Sequence, residues 1–213
     1  MRATIFVLML CSLSLPVMAS ETKLEQIELE TGISAVQRGA ETLMNACHGC
    51  HGLKYLKYRD LANFGMDRKK IDEWRGDQPL DTSLISLMPD DAALQAFGTI
   101  PPDLSLITMA REGGASYVYS YLIGYYLTPD GVTGNHIFPE TKMPDALGIS
   151  SITISAQRME VIAKARDVVS FLAWAADPHE EERHTLGYYV IGYLLALTVL
   201  MYFLKDQIWS RLK

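Results

Sequence analysis

Apolar residues are distributed along the chain in three ways: an uncharged run at each end, and stripes of helical period between them. Residues 1–19 carry one charge, Arg2, followed by an uncharged apolar run closed by Val17-Met18-Ala19. A short apolar segment that ends in small residues predicts a cleaved secretory signal peptide rather than a span. At the other end, Thr185 to Leu204 is 20 residues without a charge. As a helix rising 1.5 Å per residue it would cover about 30 Å, the thickness of a bilayer's hydrocarbon core, so 185–204 is expected to be a transmembrane anchor. Tyr188, Tyr189, Tyr202 and Trp209 stand at interfacial positions. The preceding flank is acidic, whereas the tail 205–213 sets Lys205, Arg211 and Lys213 against Asp206. The positive-inside rule then puts the C-terminus in the cytoplasm and the head on the outer side.

The expected head, residues 20–184, is mainly α and large enough for one core. Val36, Ala40, Leu43, Cys47 and Cys50 fall on one helical stripe, with Ser34-x-x-Gln37 forming a capping-box pattern at its start. Gly39, lacking a Cβ, is placed where a second helix could approach closely. A further helix is predicted over Leu104 to Arg111 and a long one over Ser155 to Ala176. The long helix carries Val161, Ala165, Val168 and Leu172 on one face, with Ile162, Val169 and Phe171 beside it, and is stopped by Pro178. Met66 to Asp91, broken by Gly76 and Pro79, is read as surface helix and loop. Thr128 to Gly148 is read as a loop long enough to suspect function.

Composition sharpens this picture at two points. Hydrophobic residues make up 49% of the chain, and the excess lies in the two terminal runs. The 19 basic and 25 acidic residues give a net charge of −6, which becomes −7 once Arg2 leaves with the signal peptide. So acidic a head suits a basic soluble partner through electrostatic steering, and equally it suits simple solubility. Asp67, Asp72, Glu73, Asp77 and Asp81 carry the same two readings, a docking face or a solvated one. No nucleic acid is expected as a partner.

The chemistry is concentrated in Cys47-His48-Gly49-Cys50-His51, a CxxCH sequence. Two thiols three residues apart can each add to a haem vinyl group, and the following histidine can then ligate the iron, which predicts one covalently bound haem c. A dithiol redox pair or half of a zinc site is the competing reading. The chain offers neither a second CxxC to complete four zinc ligands nor a βαβ pattern around the motif. Cys11, the third cysteine, lies in the expected signal peptide. His48 is expected to be a solvent-facing spacer.

Beyond the motif, five segments carry a resemblance. Cys50 to Leu61 reads CHxLxxLxYRDL; Pro101-Pro102-Asp103-Leu104-Ser105 reads PPDLS; Arg111 to Ser120 reads RxGGxxYVxS; Asn135 to Pro144 reads NHIFPETKMP; and Asp167 to Trp174 reads DVVSFLAW. Together and in this order they resemble the cytochrome c1 family. Glu140 stands where that family usually has glycine, and Lys142 where it has a small residue.

The resemblance implies a cytochrome c-like haem domain on a single C-terminal membrane helix. His51 and Met143 are its implied iron ligands, and Cys47 and Cys50 its haem anchors. The Pro102 carbonyl would take the His51 Nδ1 proton, although Pro-Pro alone also reads as a rigid corner. Arg111 would pair with a haem propionate, although an arginine before Gly-Gly also reads as a helix C-cap. Tyr117 would line the pocket. Met88 and His136 remain rivals to Met143, whereas Met44 and Met159 are assigned to core-facing helix stripes. The implied role is electron transfer from a Rieske iron–sulfur protein to cytochrome c, alongside cytochrome b, in a homodimeric quinol-oxidising complex. It would be held in the lipid of the cell inner membrane with the head in the periplasm. A membrane-tethered monohaem cytochrome serving another oxidase or reductase is the alternative.

Overall fold

The computed structural model describes residues 23–211; the expected signal peptide, with Cys11, and the last two residues of the tail lie outside the described residues. From the N-terminus the elements are α1 (Ile33–Ala46), β1 (Leu53–Lys57), α2 (Tyr58–Asn63), α3 (Arg68–Arg75), β2 (Ser83–Leu84) and α4 (Asp90–Phe97). They continue as α5 (Ile107–Ala110), α6 (Gly114–Ile123), β3 (Tyr125–Leu127), β4 (Thr133–Asn135), a 3-10 turn at Ile149–Ser151, α7 (Ser155–Ala176) and α8 (Glu180–Ser210). The described residues are mainly helical, and the strands form two small antiparallel pairs, β1 with β2 and β3 with β4.

The core forms where α1 crosses α7. Val36, Ala40, Leu43 and Met44 of α1 are buried against Ala165, Val168, Val169, Phe171 and Leu172 of α7, the periodic faces that the hydrophobic pattern defines. Gly39 is the contact point. A Cβ there would lie 1.9 Å from the Asp167 carbonyl oxygen and 2.9 Å from the Phe171 Cβ, so only glycine admits the approach. Beside it the Arg38 guanidinium forks onto the Asp167 carboxylate through Nε at 2.7 Å and a second nitrogen at 2.9 Å, fixing the register of the crossing. The segment before α1 runs back over the head. The Glu25 amide donates to the Ser120 hydroxyl of α6, and the Glu30 amide donates to Ser170 of α7.

Several expectations are corrected. The capping box does not form: Gly32 caps α1 without a side-chain bond, because the Gln37 amide donates instead to the Gly65 carbonyl at 2.9 Å. Met159 is exposed, since it lies in the part of α7 that extends past the crossing. The stretch 128–148 is not all loop, because Thr133–Asn135 folds back onto Tyr125–Leu127 as a hairpin. Of the acidic residues at 67–81, Asp67 caps α3 by accepting from the Lys69 amide. Asp72 lies between Arg75 and Arg68, which hold its carboxyl below the usual range, and Asp81 pairs with Arg59 at 2.6 Å. These three charges are therefore compensated locally, which favours the solvated-face reading for them.

α8 runs 31 residues and carries the charge-free stretch 185–204. Among the described residues it is the one helix long and apolar enough to cross a membrane, and its apolar window is not buried against the head. Tyr188, Tyr189, Leu195, Leu200 and Phe203 all lie exposed on it, an apolar surface too large for a water-facing helix.

Gly39→Ala is expected to destabilise the head. Overpacking against the fixed Asp167 backbone costs about 3 kcal/mol, which outweighs the gain of about 1 kcal/mol in helix propensity. A denaturant-unfolding midpoint unchanged from the parent would contradict the close crossing.

Candidate cofactor site

α1 ends at Ala46, and the chain then tightens into a turn in which the Cys50 and His51 amides both donate to the Cys47 carbonyl. This turn presents Cys47, Cys50 and His51 to one side, where a cavity of about 520 Å³ opens. Its walls are Val168 and Leu172 from α7, Tyr117, Val118, Tyr121 and Leu122 from α6, Pro101, Pro102, Leu104 and Ile107 from the Pro-Pro segment, and Thr141 to Pro144 from the loop after β4. Both thiols are free. Burial and the neighbouring Cys50 push the Cys47 thiol up to about 11, so it is held as the protonated, apolar form.

The Pro-Pro segment is fastened to the chain just after the motif. The Leu104 amide donates to the Gly52 carbonyl at 2.7 Å. Asp103 accepts from the Lys54 amide at 2.9 Å and from the Ser105 amide at 3.0 Å, and Ser105 accepts from the Tyr55 amide. Gly52 is needed at this convergence, since a Cβ would meet Asp103 at 3.0 Å and the Ser86 nitrogen at 3.1 Å. Held this way, the Pro102 carbonyl lies 2.7 Å from His51 Nδ1. A carbonyl only accepts, so Nδ1 carries the proton and Nε2 keeps its lone pair. Burial draws the His51 pKa down more than the carbonyl and Asp103 raise it, so the ring is neutral at pH 7.

All seven residues singled out from the sequence, Cys47, Cys50, His51, Pro102, Arg111, Tyr117 and Met143, line this one cavity. Met88 and His136 do not. Met88 sits in the turn before α4, tied to Ser86, and His136 is exposed and stacks on Tyr126 at 4.3 Å. His48 is corrected: it is 2% exposed. The chain after β2 folds over it, with the Leu87 amide reaching the His48 carbonyl, and burial lowers its pKa. Its Nδ1 meets the His51 carbonyl while Nε2 has no partner, and it does not line the cavity.

Sequence reasoning passed over Asp103, Tyr121, Tyr125, Asn135 and Thr141. The Tyr125 phenol is buried, which raises its pKa, and it donates to the Met143 carbonyl at 2.9 Å. Asn135 is fully buried and roots the loop, donating to the Tyr121 carbonyl and accepting from the Ile137 and Phe138 amides. The Asn-x-x-Phe and Asp-Leu-Ser spacings, which allow such side-chain turns, were the available signals.

The cytochrome C1 family model matches residues 25–82 and 71–212 of the chain. The chain belongs to the cytochrome c1 family. Cytochrome c1 of Allochromatium vinosum is 32% identical over 83% of this chain and 84% of its own length. A mitochondrial cytochrome c1 haem protein of Arabidopsis thaliana is 31% identical over 84% of this chain and 68% of its own. A cytochrome b/c1 of Bradyrhizobium diazoefficiens is 31% identical over 83% of this chain, which spans 33% of that longer protein.

Cytochrome c1 membership implies a haem, and the cavity fits one. Two free thiols, a neutral imidazole with Nε2 unengaged and a thioether converge on an apolar chamber, the donor set for covalent attachment and His/Met ligation.

Asp103→Ala is expected to leave the Lys54 and Ser105 amides without their acceptor and to cost about 1–3 kcal/mol of stability. Loosening of the Pro102 carbonyl should accompany it, checked by denaturant unfolding and by the proton resonance of His51 Nδ1 in the holoprotein.

Proposed function

We propose that the chain is the haem-bearing electron-transfer subunit of a quinol–cytochrome c oxidoreductase complex, taking an electron from a Rieske iron–sulfur protein and passing it to cytochrome c. The observation that carries this reading is the convergence of both thiols, His51 and Met143 on one cavity in a member of the cytochrome c1 family. When bound, the haem supplies a one-electron couple at its iron.

Cys47 and Cys50 would tether it through thioether bonds. His51 would offer Nε2 to the iron, held in that tautomer by the Pro102 carbonyl. Met143, which lines the same cavity, would offer its sulfur as a further ligand, and a thioether paired with an imidazole would raise the potential relative to two histidines. Arg111 is exposed where the cavity opens, the position in which a guanidinium can fork onto a propionate. Tyr117 lines the cavity from α6. In this reading the chain would supply no acid, base or nucleophile to the electron transfer; its part would be to hold the redox group in the apolar cavity.

The remaining assignments follow from the same reading. Residues 1–19 direct export, 20–184 form the haem head in the periplasm, 185–204 cross the cell inner membrane, and 205–213 lie in the cytoplasm. Cytochrome b is the integral partner, an assignment supported by the relative whose name joins b and c1, and the complex is dimeric.

Met143→Leu is expected to abolish the weak red sulfur-to-iron absorption band and to lower the haem potential by more than about 60 mV, a tenfold change in a one-electron equilibrium. Met88→Leu should leave both as they are. The reverse pattern, or a denatured chain that retains no porphyrin by mass, would overturn the assignment.

A further inference from the structure

Met143 packs against the core from a stretch whose other holds, between it and β4, are polar. Between β4 and the 3-10 turn the loop has no regular structure, and Phe138, Pro139, Glu140, Lys142 and Pro144 are exposed. Its fixed points are polar. The Met143 amide donates to Thr141 Oγ1 at 3.1 Å, Thr141 Oγ1 meets the Tyr121 hydroxyl at short range, and the Tyr121 and Tyr125 hydroxyls are 3.2 Å apart. The Tyr125 hydroxyl also lies 2.9 Å from the Met143 carbonyl.

Proton accounting gives this cluster a direction. Each hydroxyl has one proton, and the Met143 carbonyl can only accept. Tyr125 therefore donates to that carbonyl and accepts from Tyr121. Tyr121, its proton committed, accepts from Thr141, and Thr141 accepts from the Met143 amide. We propose that Tyr121, Tyr125 and Thr141 form a closed hydrogen-bond circuit that begins on the Met143 N–H and ends on the Met143 C=O, and that they are the positioning residues holding this methionine at the cavity. The inference rests on the reading of Met143 as the second iron ligand.

The circuit is anchored to rigid elements. Tyr121 lies on α6 and Tyr125 opens β3, their rings edge to face at 5.7 Å, and the Tyr121 carbonyl accepts from buried Asn135 at the root of the loop. A directed chain of hydroxyls in a partly buried site reinforces itself. Removing one member leaves the others unmatched, and the effect falls on Met143 first.

Carbon monoxide can reach a reduced iron at this position only while the sulfur is displaced, so its binding rate to the full-length holoprotein in detergent reads how firmly Met143 is held. Thr141→Val and Tyr125→Phe, each removing one hydroxyl, are expected to keep the covalent haem and to raise that rate roughly threefold to tenfold, the range of one lost hydrogen bond. Thr141→Ser, which keeps the hydroxyl, should bind at the parental rate. If Met143→Leu abolishes the red sulfur-to-iron band while Thr141→Val and Tyr125→Phe bind carbon monoxide at the parental rate, the circuit has no positioning role and the ligand reading stands. A lowered unfolding midpoint with an unchanged carbon monoxide rate has the same meaning. If Met143→Leu keeps the band, both readings fail together.

Discussion

The close crossing of α1 and α7 at Gly39 is the constraint from which the rest of the head follows. With an Asp167 carbonyl where a side chain would begin, the helices approach until their faces interdigitate, and the Arg38–Asp167 fork fixes the sliding coordinate. The end of α1 is then determined. Two turns beyond Gly39 the helix stops at Ala46, and Cys47 emerges beside Val168 and Leu172 of the same α7 that received Gly39. Helix packing thus sets the position of the first thiol of the CxxCH turn.

The opposite walls are built by a different force. Neither the Pro-Pro segment nor the Met143 loop has an extended apolar face to bury. Both are fastened by short polar side chains onto backbone: Asp103 and Ser105 onto the strand after the motif, Asn135 and Thr141 within and around the loop. Such bonds contribute only about 1 kcal/mol each, but they are directional, and placing side chains at a cavity needs direction more than it needs stability. Packing therefore supplies one half of the chamber and hydrogen bonding the other.

This division explains what could be read from the sequence. The helices that pack were legible, because burial imposes a period: α7 occupies Ser155–Ala176 as its apolar spacing and Pro178 indicate, and α8 contains the whole charge-free run. The seven residues singled out through the CxxCH motif and the family resemblance share one cavity. What escaped depends on partners far along the chain. Gln37 had a local capping role available and took the Gly65 carbonyl instead. His48 looked exposed because nothing near it in sequence reveals that residues 84–88 return to cover it. Tyr121 and Tyr125 resemble ordinary core aromatics four residues apart, and only the fold brings Thr141 and Met143 to their hydroxyls.

The junction between head and anchor carries the same reasoning to the membrane. α7 ends at Ala176 and α8 begins at Glu180, so three residues separate them. Asp177, in that gap, accepts from the Arg183 guanidinium at 3.0 Å, which ties the first turn of α8 back to the end of α7. Leu172 on the cavity wall is thus only 13 residues from Thr185, where the charge-free run begins. The exposed Asp177–Arg183 pair is worth little by itself, so it is the shortness of the connection that limits how far the head can stray from α8. Because α8 is the one helix among the described residues long and apolar enough to cross a membrane, so short a connection keeps the cavity within a small, fixed reach of the charge-free run, a constraint built into the chain itself.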